Sequence, residues 1–166
     1  MTLWMDASVR FRTADITPIL EQARHLGVFV ARTQFMMPMH VHPAMLSYFQ
    51  VQPCLLAPFY ETAGGFIVLH NDSFVQLAIL DPWVACAFSP RCICPSEKGT
   101  DCNSLFSCTM RNDPYFRCHR FDQSALGIIL ASLFDLKVTA LTHKLVDNTI
   151  TWFAFRRGQL VNYFAD

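Results

Sequence analysis

Charge is what this chain has least of. Of its 166 residues, 16% are charged and 52% hydrophobic, against roughly 25% charged in an average soluble protein. The 13 basic and 13 acidic side chains cancel, so no basic field exists to attract a nucleic-acid backbone, and nucleic-acid binding is a poor fit. Long apolar runs are missing too. The longest, Ala125 to Phe134, ends at Asp135-Leu136-Lys137, short of the ~18 residues that a membrane-spanning helix needs. The start, Met1-Thr2-Leu3-Trp4-Met5-Asp6, has no basic stretch and meets an acid too early for a signal peptide. No G-x-S-x-G, Walker loop, G-x-G-x-x-G or H-E-x-x-H occurs, so most familiar enzyme classes lose their main signal.

What remains is an apolar excess that must fill a core or meet a partner, in a chain long enough for one domain. Cysteine is plentiful: Cys86, Cys92, Cys94, Cys102, Cys108 and Cys118 lie close together, and Cys54 stands apart. That clustering suits an oxidising compartment, and disulfides are the favoured reading. A zinc site would want C-x-x-C knuckles; Cys92-Ile93-Cys94 is only C-x-C, with His119 beside Cys118 as a loose extra ligand. Connectivity stays open. A cluster of this kind without a signal peptide suggests the end of something longer.

Periodicity predicts an α/β chain. Thr2 to Met5 reads as a buried strand ending at Asp6. Thr17 can cap a helix with Pro18 at its first position, an apolar stripe of Ile19, Leu20, Ala23 and Leu26, and Gly27 as the stop. A strand Val28 to Ala31 follows. Pro38, Pro43, Pro53 and Pro58 predict irregular surface loop from Phe35 to Pro58, with one short helix at Ala44 to Phe49. Gly64-Gly65 releases into a strand Phe66 to Leu69, after which Asn71 or Asp72 caps a helix with apolar positions Phe74, Val75, Ala78 and Ile79. Ser89 to Arg117 is the cysteine-rich loop. Asp122 to Phe134 is apolar on nearly every side and should be a buried helix. Strands are expected at Val138 to Leu141 and Thr149 to Phe155. No repeat or domain linker is visible.

Two constellations carry candidate chemistry. Asp6 at a strand end, followed by Ser8 and Arg10, can hold a divalent cation bridging a diphosphate while the guanidinium neutralises phosphate charge. The alternative is a pair that satisfies backbone donors at a turn. Asp122-Gln123 puts a carboxylate in a first helical turn, where the dipole favours its ionised form, beside an amide suited to ligand hydroxyls. Its alternative is a plain N-cap. His40 and His42, two apart, would face one side of an extended segment and could bind a metal or an acceptor. His119 and Arg120 could reach the Asp122 cleft, and His143 is a candidate imidazole ligand. A Cys-His protease is a weak fit, because clustered thiols look structural.

The ordered set Trp4-Met5-Asp6-Ala7-Ser8-Val9-Arg10-Phe11, His42-Pro43-Ala44-Met45, Gly64-Gly65-Phe66-Ile67-Val68, Trp83-Val84-Ala85-Cys86-Ala87 with Cys92-Ile93-Cys94-Pro95, and Cys118-His119-Arg120-Phe121-Asp122-Gln123-Ser124-Ala125-Leu126 resembles a poorly characterised animal family of nucleotide-sugar glycosyltransferase-like proteins, over nearly the whole chain. The resemblance implies the C-terminal portion of a GT-A-like nucleotide-diphospho-sugar transferase fold, a mixed sheet flanked by helices with a cysteine-rich loop. In that fold an Asp-x-Asp motif binds manganese and the donor diphosphate; Asp6-Ala7-Ser8 matches its first acid only. In its GT8-like members an Asp-Gln pair lies beside the donor sugar, the place that Asp122 and Gln123 would take. The resemblance also sets Gly64-Gly65 on the acceptor side, makes His143 a metal ligand alongside Asp6, and implies a Golgi-luminal protein anchored in the membrane upstream of this chain. Because the nucleotide-binding half of such a fold precedes the acid motif, the expectation is one partial domain over residues 1–166, inactive by itself. The expected activity of the whole is transfer of a sugar from a nucleotide-sugar donor to a glycan or protein hydroxyl. The competing readings are a secreted, disulfide-stapled binding module without turnover and a degenerate transferase.

Overall fold

The short apolar run at the start forms β1 (Thr2–Met5), and a turn closed by the Val9 amide on the Asp6 carbonyl (2.9 Å) leads into β2 (Val9–Phe11). These coordinates come from a computed structural model that describes residues 1–7, 9–11, 13–95, 119–134, 142–144 and 153–155. β1 was expected to be buried, and the structure corrects this: all four residues are exposed. The reason is position, because among the described residues β1 is the edge strand of its sheet and is hydrogen-bonded to β4 alone.

Next comes α1 (Thr17–Leu26), with Pro18 in its first turn and Gly27 at φ 82° as its stop. Its cap is Ile16 rather than Thr17, and the carboxylate of Asp15 accepts the Thr17 amide hydrogen (3.0 Å). The helix buries Ile19 and Ala23. β3 (Val28–Met36) follows, wholly buried over its first four residues.

The proline-rich segment departs most from expectation. It is three short helical turns rather than irregular loop: a 3-10 turn at Met37–His40, α2 (Pro43–Phe49) and α3 (Pro53–Leu56), each with a proline in its first turn. Proline lacks an amide hydrogen that those positions do not need, and its fixed φ is already helical, so here it starts turns instead of breaking them. Nor does the segment lie on the surface, since Met37, Val41, Met45, Leu46, Leu56 and Phe59 are buried.

β4 (Tyr60–Leu69) continues through the two glycines, where the sequence predicts only the release into a strand at Phe66. Asp72 then caps the following helix as expected, its carboxylate accepting the Val75 amide hydrogen at 2.8 Å. That helix widens into a π turn at Val75–Leu80 before continuing as α4 (Asp81–Ala87). The Asp81 amide donates to the carbonyl of Gln76, five residues back. Pro82 explains the widening: its ring clashes with a carbonyl four residues behind, and a longer-reach turn relieves the clash. Val75 and Ile79 point inward, but Phe74 is half exposed. The Cys86–Cys92 disulfide ties α4 to α5 (Pro90–Ile93), and Cys54 is free and exposed. So the disulfide reading holds for the part of the cysteine cluster that is described; Cys102, Cys108 and Cys118 lie outside the described residues.

α6 (Phe121–Phe134) is the buried helix that the sequence predicts, with Ser124 to Ala131 all out of solvent. The remaining strands are β5 (Thr142–Lys144) and β6 (Phe153–Phe155). The expected strand at Val138 to Leu141 lies outside the described residues, as does most of the one at Thr149 to Phe155.

The fold is therefore mixed α/β. A four-stranded sheet in the order β1-β4-β3-β5 is antiparallel except for the parallel β3-β5 pair, and β2 pairs with β6 in a separate antiparallel ribbon. One face of the sheet carries a small core with α1, built from Val9, Ile19, Ala23, Phe29, Ala31, Ala63, Phe66 and Val68. The other face carries the larger core, in which α6 is central.

Candidate functional site

The glycine pair organises the site. Along β3 the register steps from Val30 opposite Ile67 to Ala31 opposite Ala63, so residues 64–66 bulge out of that ladder while β1 still follows them through Met5 opposite Phe66. A bulge bends its strand and re-aims the backbone. The beginning of α6 fills the space: a Cβ on Gly64 would meet Gln123 Cβ at 3.3 Å, Gln123 Oε1 at 3.4 Å and Asp122 Oδ2 at 3.7 Å. Residue 64 is glycine because the first turn of a helix lies against it.

From the other side, the Asp6 amide donates to the Gly65 carbonyl (2.9 Å) and the Trp4 indole to the Gly64 carbonyl (3.1 Å). Asp6 and Asp122, 116 positions apart in the sequence, thus flank adjacent glycines. The strand directions agree with a shared rim: β1, β3 and β5 run the same way, and Asp6 lies at the carboxyl end of β1. Trp83 secures the helix end, its indole donating to the Asp122 carbonyl (2.8 Å).

Asp122 is not the cap. The Arg120 carbonyl takes the amide hydrogens of Gln123 (3.1 Å) and Ser124 (3.3 Å), which leaves Asp122 within the first turn. Its titration differs from the sequence expectation. Much of the residue faces solvent, yet the atoms packed behind it remove enough water to raise its carboxyl above the ordinary aspartate value. The amides of Gln123 and of Asp122 itself pull the other way. Desolvation outweighs the helix N-terminus here.

Other expected residues fall elsewhere. The Arg10 guanidinium donates to the carbonyls of Ala7 (2.7 Å) and Val9 (2.9 Å), closing its own turn. Ser8 lies outside the described residues. His143 sits on β5 opposite Ala31, with β3 and β4 between it and β1, a span of about 14 Å at ordinary strand spacing. The topology does not bring it to Asp6. Among the described residues no three metal-ligating side chains converge.

His40 and His42 also part company. His42 caps α2 by accepting the Ala44 amide hydrogen on Nδ1 (3.1 Å), and its own amide donates to His119 Nδ1 (3.3 Å). His119 is fully buried, and its pKa falls to about 4, chiefly because burial penalises the cation and secondarily because His42 is near. The carbonyls of Ile93, His40 and Cys92 oppose that shift only in part. His119 is therefore neutral at pH 7, a buried packing residue beside the start of α6.

One residue escaped the sequence reading. Glu61, 2% exposed, accepts from Gln123 Nε2 on Oε1 (2.6 Å) and from the Thr33 hydroxyl on Oε2 (3.0 Å). His40 Nδ1 lies 3.0 Å from the same Oε1 without forming a hydrogen bond to it. The His40 carbonyl in turn accepts the Ser124 hydroxyl (2.6 Å) and the Arg120 amide (3.1 Å), and the Thr62 hydroxyl donates to the Gln123 carbonyl (2.9 Å). A buried polar network thus sits directly behind Asp122 and Gln123. Its one signal in the sequence is an acid inside a strand-like run next to Gly-Gly.

No family model, curated protein or solved structure matches the chain. The chemistry must therefore be argued from the site itself. It presents a carboxyl that changes protonation more readily than an ordinary aspartate and an amide oxygen beside it, both at a backbone opened by glycine. Such groups recognise hydroxyls and can exchange a proton with one.

Proposed function

We propose that this chain is part of a glycosyltransferase-like domain of GT-A type that handles a nucleotide-linked sugar and passes the sugar to a glycan or protein hydroxyl. The single observation that supports the reading is the meeting of Asp122 and Gln123 with the Gly64-Gly65 bulge, on whose other side Asp6 is bonded. In this reading Gln123 holds sugar hydroxyls, and Asp122 orients or relays a proton to the reacting hydroxyl. Asp6 would lie toward the diphosphate, while Arg10 stays bonded within its own turn. The described side chains do not form a manganese site, since Asp6 and His143 are separated by two strands, and no step is routed through a metal. A disulfide between Cys86 and Cys92 suits the lumen of the secretory pathway.

Titration calorimetry of the full chain with UDP-sugars and GDP-sugars tests this. The expected result is binding by at least one of them that weakens about tenfold or more in Asp122→Asn and in Gln123→Ala, the loss of one or two hydrogen bonds to ligand. Wild-type protein that binds none of them overturns the reading, as does equal binding by the variants. Binding of free saccharide without nucleotide dependence would instead make the chain a recognition module.

A further inference from the structure

Gln123 has two chemically opposite ends, and which end faces Gly64 decides what the start of α6 can recognise. Its Nε2 is 2.6 Å from Glu61 Oε1, and its Oε1 is the atom lying 3.4 Å from the place of a Gly64 Cβ. Those two assignments depend on one another, because the amide can turn over by exchanging nitrogen and oxygen with little change in shape. What fixes the choice is Glu61. Its other oxygen, Oε2, accepts from the Thr33 hydroxyl, and that hydroxyl itself accepts the Phe35 amide hydrogen (3.1 Å). The Thr33 hydrogen is then left to donate to Glu61 Oε2, and a Glu61 carboxylate accepts at both oxygens. An acceptor-only carboxylate cannot face the amide oxygen without placing two acceptors 2.6 Å apart in a site shielded from water.

We infer that Glu61, supported by Thr33, is a positioning residue that locks the Gln123 amide with its oxygen toward Gly64, making the half-buried start of α6 a subsite for hydrogen-bond donors such as ligand hydroxyls. The inference deepens the sugar-transfer reading and rests on it for the identity of the ligand, but not for the orientation of the amide. With Asp122 beside it, the start of α6 offers two acceptors side by side. It selects a group bearing hydroxyl hydrogens over a phosphate, a carboxylate or a fluorinated sugar at that position.

Two measurements on the full chain test this separately. In nitrogen-15 NMR of the ligand-free protein, the Gln123 side-chain amide, assigned by its loss in Gln123→Leu, should give one set of signals with one hydrogen protected from exchange. In Glu61→Gln, whose side chain can donate or accept, the protection should fall at least about tenfold or two orientations should appear, as expected when one charge-assisted bond is lost. Unprotected hydrogens in the wild type, or an unchanged single orientation in Glu61→Gln, overturn the inference. In the second measurement, UDP-glucose, UDP-galactose and GDP-mannose are compared with their ring-deoxyfluoro analogues, since fluorine cannot donate. Wild type should disfavour the analogue altered at the Gln123 position by about tenfold, and Glu61→Gln should discriminate less than about half as well. Equal discrimination by the two proteins overturns the inference. Failure of all these sugars to bind overturns the transfer reading, and the NMR result then decides the orientation of Gln123 alone.

Discussion

The two faces of the sheet solve the same packing problem differently. Toward α1 the core is apolar throughout, with Phe66 meeting Phe29 and Phe11 edge to face at 5.9 and 5.8 Å. Toward α6 the core is larger, and the buried polar side chains among the described residues, His40, Glu61, Thr62, His119 and Ser124, cluster where that helix begins. Burying a polar group costs free energy unless its partners are in place, so an arrangement that needs only stability would look like the α1 face. The difference marks the start of α6 as the place where the fold gives up simple packing for directed groups.

Truncation should separate the two faces most strongly. Phe66→Ala removes a fully buried ring and should cost about 3–5 kcal/mol in chemical unfolding, whatever occupies position 123. Glu61→Ala should cost a similar amount, about 3 kcal/mol, because it strands the Gln123 amide and the Thr33 hydroxyl. The distinguishing measurement is a double-mutant cycle. Gln123→Leu should couple to Glu61→Ala by about 1–3 kcal/mol and to Phe66→Ala by less than about 0.5 kcal/mol. Equal coupling would mean that the polar face is only another packed core.

Protons provide the next contrast, since among the described residues only the α6 face holds a buried imidazole with a shifted pKa. His119 titrates near 4 when folded against an ordinary 6.5. Between those values the unfolded chain binds more protons than the folded one, so stability rises with pH. The contribution is fully present above pH 6.5 and is lost as pH falls toward 4, amounting to roughly 3 kcal/mol. Unfolding free energies of wild type and His119→Phe across that window should diverge by about this amount, with the wild type the steeper. Parallel curves would place the acid sensitivity elsewhere.

The same contrast explains what was legible in the sequence. Elements whose signals are local could be read: α1 from Pro18, its stripe and Gly27, the Asp72 cap, and α6 from its unbroken apolar run. Asp6 and Asp122 were also singled out from local signals, a strand end and a helix start, and they flank the adjacent glycines Gly65 and Gly64. Glu61 was not, since its partners Thr33 and Gln123 lie 28 and 62 positions away and nothing local tells a buried acid from an exposed one. Local rules also misled where chemistry permits two outcomes. Pro38, Pro43 and Pro53 read as loop, yet proline suits the first turn of a helix equally well. The helix dipole at Asp122 pointed to a favoured carboxylate, but packing behind the first turn decided the sign.

The smallest expected effect on stability should accompany a clear effect on function. Trp4 is 60% exposed and makes its indole bond to Gly64 near solvent, so water can replace that donor and Trp4→Phe should change stability by less than about 0.5 kcal/mol. Gly64→Ala differs. Its new methyl would come within 3.3 Å of Gln123 Cβ, a contact relieved only by moving the start of α6 a few tenths of an ångström. Because α6 is anchored by the His40 carbonyl and by Glu61, that movement is transmitted to the Gln123 amide. Stability should drop by about 1 kcal/mol, a mild case of overpacking, while affinity for any nucleotide sugar that binds wild type should fall at least about tenfold, since small displacements in a positioned site are costly. A Gly64→Ala protein that binds like wild type would show that the bulge merely accommodates the helix and that the ligand lies elsewhere.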